Sequence, residues 1–299
     1  MKITEYLKPA AGHSDFRQLR FGPARYVQGE RALESLKAVR AENVVCVAGA
    51  EIAGKYSARV RNFIETGALL FNGECSRDEI ARIAGEIEER GCDLVMGMGG
   101  GRALDASKCA AQLAGKRLLL IPTSAATCAA WTSVAVVNSE EGVYEDTVDI
   151  KRPAELVLAD TNIIAEAPAR LLSAGMGDAI AKYFESLAVC PEAGIFEDTA
   201  LEIGLNLYRD IVKYGEQALA DAHENRVSEE LESIITANIA LCGMVTCTGD
   251  FSASFSHAFA NGVSKRREFY HGEIVAVGLL LQNILQGGAG FNPAEMKAL

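Results

Sequence analysis

Positive charge is what this 299-residue chain is short of: 29 Lys and Arg face 40 Asp and Glu, a formal net charge of -11. A sequence-independent nucleic-acid binder needs a basic face to displace counterions, so that class is excluded. Long apolar runs are missing too. None approaches the roughly 18 residues of a membrane span, and the N-terminal Met1-Lys2-Ile3-Thr4-Glu5 stretch has no secretory pattern. A soluble, cytoplasmic protein with no membrane partner is expected. The 8 cysteines include no Cys-x-x-Cys spacing, which removes a zinc ribbon and argues against a disulfide framework. They read as buried small hydrophobes. Histidine is scarcer still, with only 4 residues, His13, His223, His257 and His271.

What is present is alternation. Short apolar runs recur at Asn43 to Gly49, Ala68 to Phe71, Leu94 to Met96, Arg117 to Ile121 and Glu155 to Asp160, three of them stopped by glycine or proline. A first strand is expected at Ala24 to Val27, with a helix over Glu30 to Val39. Between the later strands lie helical segments, one through Tyr56 to Glu65 and one opened by a Ser76-Arg77-Asp78-Glu79 capping box and running through Arg90. Such alternation, with connections too long for hairpins, predicts an α/β domain with a parallel sheet, whose ligands bind beyond the carboxyl ends of the strands.

The stretch from Asp93 to Cys109 is the strongest local signal. Its apolar strand meets Gly97, Gly99, Gly100 and Gly101, and helix formers follow from Arg102 to about Leu113. A strand turning sharply into a helix presents free backbone N–H groups and the positive end of the helix dipole, which favour an anion such as a pyrophosphate. A tight turn without a ligand has the same composition, so the glycines alone do not decide between the two.

From Pro168 to Gln286 the chain is rich in helix formers. The expected division is a dinucleotide-binding α/β domain over 1–160 and an all-helical domain over 161–299. His257 and His271 lie 14 residues apart in that second part, and the charged segment from Ser264 to Glu268 between them can bring two helix ends together. With Asp178, two imidazoles and one carboxylate suit Zn²⁺ or Fe²⁺ as a Lewis acid.

Taken together, three motifs resemble the iron-containing alcohol dehydrogenase superfamily, in its glycerol dehydrogenase-like branch. They are Gly97-Met-Gly-Gly-Gly-Arg-Ala-Leu-Asp105-Ala-Ser-Lys108, the Pro122 to Thr132 segment, and Leu158 to Asp178 with His257 and His271-Gly272-Glu273. The resemblance runs in order from about residue 15 to 285. It implies a Rossmann-like N-terminal domain, a C-terminal all-helical domain, and hydride transfer between NAD or NADP and a small secondary alcohol, 2-hydroxy acid or polyol. Asp178, His257 and His271 match the catalytic metal ligands. Gly99, Gly100, Gly101, Arg102 and Asp105 match the pyrophosphate turn, and Thr123, Thr127, Thr132 and Val134 the nicotinamide half. Lys182 and Tyr183, one helical turn beyond Asp178, are either candidates for a proton relay or ordinary surface and packing positions, and no relay is assigned.

Three departures qualify that picture. Cys128 stands where glycerol dehydrogenases carry an aspartate that contacts the polyol, which points to the hydroxycarboxylate dehydrogenase-like relatives and their 2-oxo acids. Trp131, close by, is expected either to narrow the site or to pack in the core. Ala50 follows Gly49 where NAD-preferring members have an acid; with Ala50 in that place NADP fits, and with Glu51 turned inward NAD is preferred. The family also continues for several helical turns past the point matching Leu299, so exposed apolar faces and a homo-oligomer are expected. Two other readings stay open: a dehydroquinate-synthase-like non-redox relative, and an inactive relative that binds the dinucleotide alone.

Overall fold

The computed structural model describes residues 22–189, 194–248, 255–263 and 268–285. The N-terminal stretch, His13, Cys190, most of the charged segment after Gly262 and the chain past Leu285 lie outside the described residues. The chain forms two compact units.

The first unit takes in Gly22–Thr123 and Ala129–Ile164. Its strands are β1 (Tyr26–Gly29), β2 (Val44–Gly49), β3 (Thr66–Phe71), β4 (Leu94–Gly99), β5 (Arg117–Pro122), β6 (Val134–Asn138), β7 (Tyr144–Asp149) and β8 (Leu156–Asp160). Six of them make one sheet in the order β1-β8-β5-β4-β2-β3, parallel throughout. All six residues of β4 are buried, as its unbroken apolar character requires of a strand covered on both faces. Helices α1 (Ala50–Arg61), α2 (Arg77–Glu89) and α3 (Gly101–Leu113) connect the strands. Val44, Ala48, Tyr56, Met96, Met98 and Ile121 are central to the core between sheet and helices. The chain steps outward from β2 to β3 and returns to place β4 on the other side of β2. That reversal opens a crevice at the carboxyl ends of β2 and β4, where open α/β sheets bind ligands.

Several sequence expectations need correction here. The helix expected over Glu30 to Val39 is a 3₁₀ turn, Ala32–Ala38, entered from Arg31 at φ 62°. Its opening N–H of Leu33 is taken by Asp160 Oδ2 at 3.0 Å. The helix placed through Glu65 ends at Arg61, short of β3. The capping box is half made. Ser76 Oγ accepts from the Glu79 N–H at 3.2 Å, while the Glu79 carboxylate turns to the Asn72 N–H at 2.8 Å and to Arg82. The hairpin of β6 and β7, antiparallel and separate from the main sheet, was not expected at all.

The second unit takes in Ser124–Cys128 and the described residues from Ala165 on. It is helical: α5 (Ala169–Val189), α6 (Ile195–His223), α7 (Glu229–Ile235), a π-helical turn over Thr236–Leu241, α8 (Cys242–Thr248), α9 (Phe255–Gly262) and α10 (His271–Leu285). The short helix α4 (Thr161–Ala165) leads in from β8. The continuous stretch Glu229–Thr248 is long and apolar enough to cross a membrane, contrary to the reading of the sequence, but 61% of it is buried within the protein. It begins with three glutamates in its first turn, as a core helix with a solvated end does. From its middle, Asn238 Nδ2 donates to Ala125 O at 2.9 Å and to Leu172 O at 3.1 Å, clasping the Ser124–Cys128 segment to α5.

Candidate active site

In the first unit, β4 passes through Gly100 into α3, and no side chain caps the helix. Its first-turn N–H groups therefore remain available to an anion. Glycine is demanded by two contacts. A Cβ on Gly99, whose φ is +151°, would lie 2.9 Å from Ala103 Cβ, and one on Gly97 would lie 2.6 Å from Ser107 Cβ. The Thr123 N–H donates to Gly99 O at 3.0 Å, tying the end of β5 to the turn. Arg102 contributes to the turn through its backbone, because its guanidinium, 60% exposed, pairs with Glu74 at 3.0 Å.

Asp105, Thr132 and Val134 come together around a residue the sequence did not single out for a role, Lys108. Its ammonium, 2% exposed, lies 2.7 Å from Asp105 Oδ1. It donates to Ala129 O at 2.9 Å, Thr132 O at 3.2 Å and Val134 O at 2.5 Å. Asp105 Oδ2 in turn accepts from the Val136 N–H at 3.0 Å. These contacts fasten the hairpin to α3. Trp131 packs at 5.3 Å, centroid to centroid, from the Tyr26 ring and against the Gly22 backbone, which accounts for it as a packing residue.

In the second unit Asp178, Lys182 and Glu185 follow one another on one face of α5, at the spacing of successive helical turns. Small residues let α10 close on that face and α9 close on α10. A Cβ on Gly177 would sit 2.8 Å from Gly272 O, one on Gly272 1.8 Å from Ala174 O, and one on Gly278 2.8 Å from Ser256 Cα. Each glycine neighbours or faces a functional side chain: Gly177 precedes Asp178, Gly272 follows His271, and Ser256 precedes His257. The close crossing thus brings His257 Nε2 to 3.1 Å from Asp178 Oδ1 and His271 Nε2 to 3.9 Å from the same oxygen. The three residues offer ligand atoms that all lie within 4.8 Å of one another.

Glu185 completes the arrangement. Its Oε2 is 2.6 Å from His257 Nδ1, and its Oε1 accepts from the His257 N–H at 3.1 Å and from the Ser256 hydroxyl. Nδ1 is within ion-pairing distance of Glu185 but off the line of a hydrogen bond, and a proton there leaves the Nε2 lone pair facing Asp178. This is the carboxylate-histidine pairing that orients a metal ligand. The Nε2 lone pair already meets a cation, the Lys182 ammonium at 2.9 Å. The donor set fits a divalent zinc or iron.

The electrostatics agree. Burial pushes Asp178 up, but the close His257 ring and the Lys182 charge outweigh it and hold the carboxyl below its usual range. Burial opposes the ionisation of Glu185 as well, and His257 and Lys182 nevertheless bring it down to about 2. Burial and Lys182 work against a charge on His257, yet Asp178 and Glu185 raise it above its ordinary value. His271 is lowered to about 4, chiefly by desolvation. Because 43% of its side chain stays open to solvent, water tempers that effect.

Cys128 lies beside this cluster: its Sγ is 4.0 Å from Thr246 Oγ1, and it forms with Asp178 and Cys242 a second close, buried group of ligand-type atoms. Thr127 belongs to the same Ser124–Cys128 segment of the second unit, and Thr123 is counted with the first. Tyr183 stacks on Tyr208 at 5.6 Å and reads as packing, and His223 is exposed in the last turn of α6. Lys182 is at the site. Glu185 and Cys242 were missed, although Glu185 follows Asp178 by seven residues on a readable helix face.

Comparison with known proteins matches this picture. Residues 23–161 match the model of the iron-containing alcohol dehydrogenase family. The chain is 34% identical over 283 residues to a glycerol dehydrogenase of Escherichia coli O6:H1, covering 88% of this chain and 76% of that enzyme. It is 34% identical over 232 residues to hydroxycarboxylate dehydrogenase A of Escherichia coli K12, covering 73% of this chain and 62% of that enzyme. Among solved structures, a probable glycerol dehydrogenase from Sinorhizobium meliloti 1021 superposes with a TM-score of 0.82 at 27% identity, over 93% of this chain and 80% of that one. With the relatedness, the parallel sheet and the Asp-His-His cluster in agreement, the chain belongs to the iron-containing alcohol dehydrogenase family.

Proposed function

We propose that Asp178, His257 and His271 hold the divalent metal of this NAD(P)-dependent alcohol dehydrogenase, and that the Gly99 to Arg102 turn holds its dinucleotide. The observation that carries the reading is the convergence of the three donors within 4.8 Å, with Glu185 behind His257. A dication bound there lowers the pKa of a substrate hydroxyl, so that hydride can leave for the nicotinamide. Asp178 supplies the negative charge, and Glu185 fixes the tautomer and tilt of His257. The free N–H groups at the start of α3 take the pyrophosphate. Thr123 and Thr127 are assigned to the nicotinamide half, whereas Asp105, Thr132 and Val134 act by holding the hairpin behind it through Lys108.

The two units are read as a dinucleotide-binding domain and a metal-binding domain, with the metal zinc or iron(II). NADP is accepted along with NAD, because Ala50 opens α1 directly after β2 and places a methyl group where an acid would repel a 2′-phosphate. The seven free cysteines among the described residues suit a reducing cytoplasm. The exposed Val277, Ile284 and Leu285 of α10 suit a homo-oligomer, which sedimentation equilibrium checks.

The test is metal titration followed by turnover. Metal-freed protein takes up one zinc or iron(II) per chain and then consumes NADH or NADPH with a small ketone or 2-oxo acid; His257→Ala does neither. Tight binding of one metal by His257→Ala would refute the ligand assignment.

A further inference from the structure

Lys182 is a lysine that the metal site itself does not need. It is rooted one helical turn from Asp178 on the same face of α5, and its ammonium sits 2.9 Å from His257 Nε2, the nitrogen assigned to the metal. A dication held by Asp178, His257 and His271 takes that lone pair away from Lys182. The ammonium then needs another acceptor, and a cation left without one in a half-buried setting is costly. Its stem keeps it beside the site. Lys108 shows the contrast, since its protons are all spent on Asp105 and on fixed backbone carbonyls.

The charges point the same way. Among the described residues, two carboxylates, Asp178 and Glu185, and one ammonium, Lys182, stand around the metal position. The next acid, Glu273, is neutralised by Arg170 at 2.5 Å. A dication added to this group leaves three positive charges against two negative, an excess of one. A neutral polyol leaves that excess uncompensated, whereas a monoanion cancels it. The buried neighbours Cys128 and Cys242 offer only weak thiol donors, poorly suited to a diol.

We propose that Lys182 selects the substrate class: its ammonium binds the carboxylate of a small 2-oxo acid, or of the 2-hydroxy acid in the reverse direction. The inference rests on the metal-ligand reading above. In the reduction, hydride passes from NAD(P)H to the carbonyl carbon and a solvent proton to the carbonyl oxygen, giving the 2-hydroxy acid and NAD(P)⁺. Lys182 binds and orients the carboxylate throughout and transfers no proton in this account.

The experiment compares zinc-loaded wild type, Lys182→Gln and Lys182→Arg on 2-oxobutyrate and on 1-hydroxy-2-butanone, a neutral ketone of the same carbon skeleton. Calorimetric binding of oxamate, a non-reducible mimic of a 2-oxo acid, to the NADH-loaded protein gives a second readout. Wild type is expected to favour 2-oxobutyrate in kcat/KM. In Lys182→Gln that preference and the oxamate affinity should each fall about 10- to 100-fold, the worth of one charge-assisted hydrogen bond, and Lys182→Arg should recover most of both. Equal losses on the two ketones, or unchanged oxamate affinity in Lys182→Gln, would overturn the proposal. Wild type that reduces hydroxybutanone and ignores 2-oxobutyrate overturns this inference alone. Protein that binds zinc and dinucleotide but reduces neither overturns the dehydrogenase reading with it.

Discussion

Two lysines, each on a helix and each next to an aspartate one turn away, separate a contact that builds the fold from one that belongs to the chemistry. Lys108 pairs with Asp105 across three residues of α3, and Lys182 lies four residues past Asp178 on α5. Around Lys108 each contact is to a fixed group of the same unit, so the charge is neutralised and the hairpin is fastened. Around Lys182 the partner is an imidazole nitrogen that has other work, and the nearby acids belong to a metal site. A buried ion pair thus marks function when its partners can be claimed by something else. One whose partners are backbone carbonyls marks architecture.

The comparison breaks most visibly at the acids. Asp178→Asn should lower metal affinity by more than about 100-fold, beyond the usual cost of losing an outer partner of a ligand, with turnover falling in step. A chelator competition assay reads it. Retention of wild-type affinity would move Asp178 out of the metal site and make the two pairs alike. In the first unit the failure should be of another kind. Lys108→Met strands a buried carboxylate and should cost about 3–5 kcal/mol of stability, measured by urea unfolding. If it instead impaired metal binding with stability intact, the structural reading of Lys108 would be wrong.

Glu185→Gln is intermediate in size. It keeps the shape but weakens the hold on His257 Nδ1, and metal affinity should drop about 10- to 100-fold. It also carries a pH signature in metal-free protein. The Glu185 pKa is brought from an ordinary 4.5 down to about 2, so its contribution to stability is complete above the ordinary value and is lost as pH falls through the lowered one. Acid should therefore destabilise the wild type more than Glu185→Gln between about pH 4 and pH 2. Parallel curves for the two proteins would show that Glu185 is not held by its neighbours as described.

The same division explains what could be read from the sequence. β2, β4 and β5 announce themselves because strands buried on both faces are continuous apolar runs, and the glycine turn because only glycine fits beside Ala103 and Ser107. The family resemblance named the right family, and it brought Asp178, His257 and His271 forward together before their approach to one another could be seen. Glu185 stayed hidden because its role depends on α9 lying against α5, where Ser256 and the His257 N–H meet its carboxylate, a tertiary fact. The hairpin of β6 and β7 was more legible than it was taken to be: Val134-Ala135-Val136-Val137 is β-prone, and Gly142, at φ +80°, closes the turn after two glutamates. Lys108 closed the glycine-turn motif but received no role, because nothing in a sequence distinguishes a lysine that solvates a helix face from one that is 2% exposed.

The smallest effect sharpens the contrast furthest. The two sites differ in what they are made of: the anion turn is backbone, and the metal cluster is side chains. Arg102 is the test, because the resemblance assigns it to the cofactor while its guanidinium, 60% exposed, pairs with Glu74 at 3.0 Å. An exposed pair of this kind is worth at most about 1 kcal/mol, so Arg102→Ala should shift stability by no more than that. If the pyrophosphate is held by the N–H groups of the α3 first turn, affinity for NADH and NADPH should change only a few-fold, because alanine supplies the same N–H. Fluorescence titration with each cofactor measures it. A loss of tenfold or more would show that the guanidinium leaves Glu74 for a phosphate oxygen when the dinucleotide binds. A loss confined to NADPH would instead place Arg102 at the 2′-phosphate. Either result would mean that the first site, like the second, depends on a charged side chain that exchanges one partner for another.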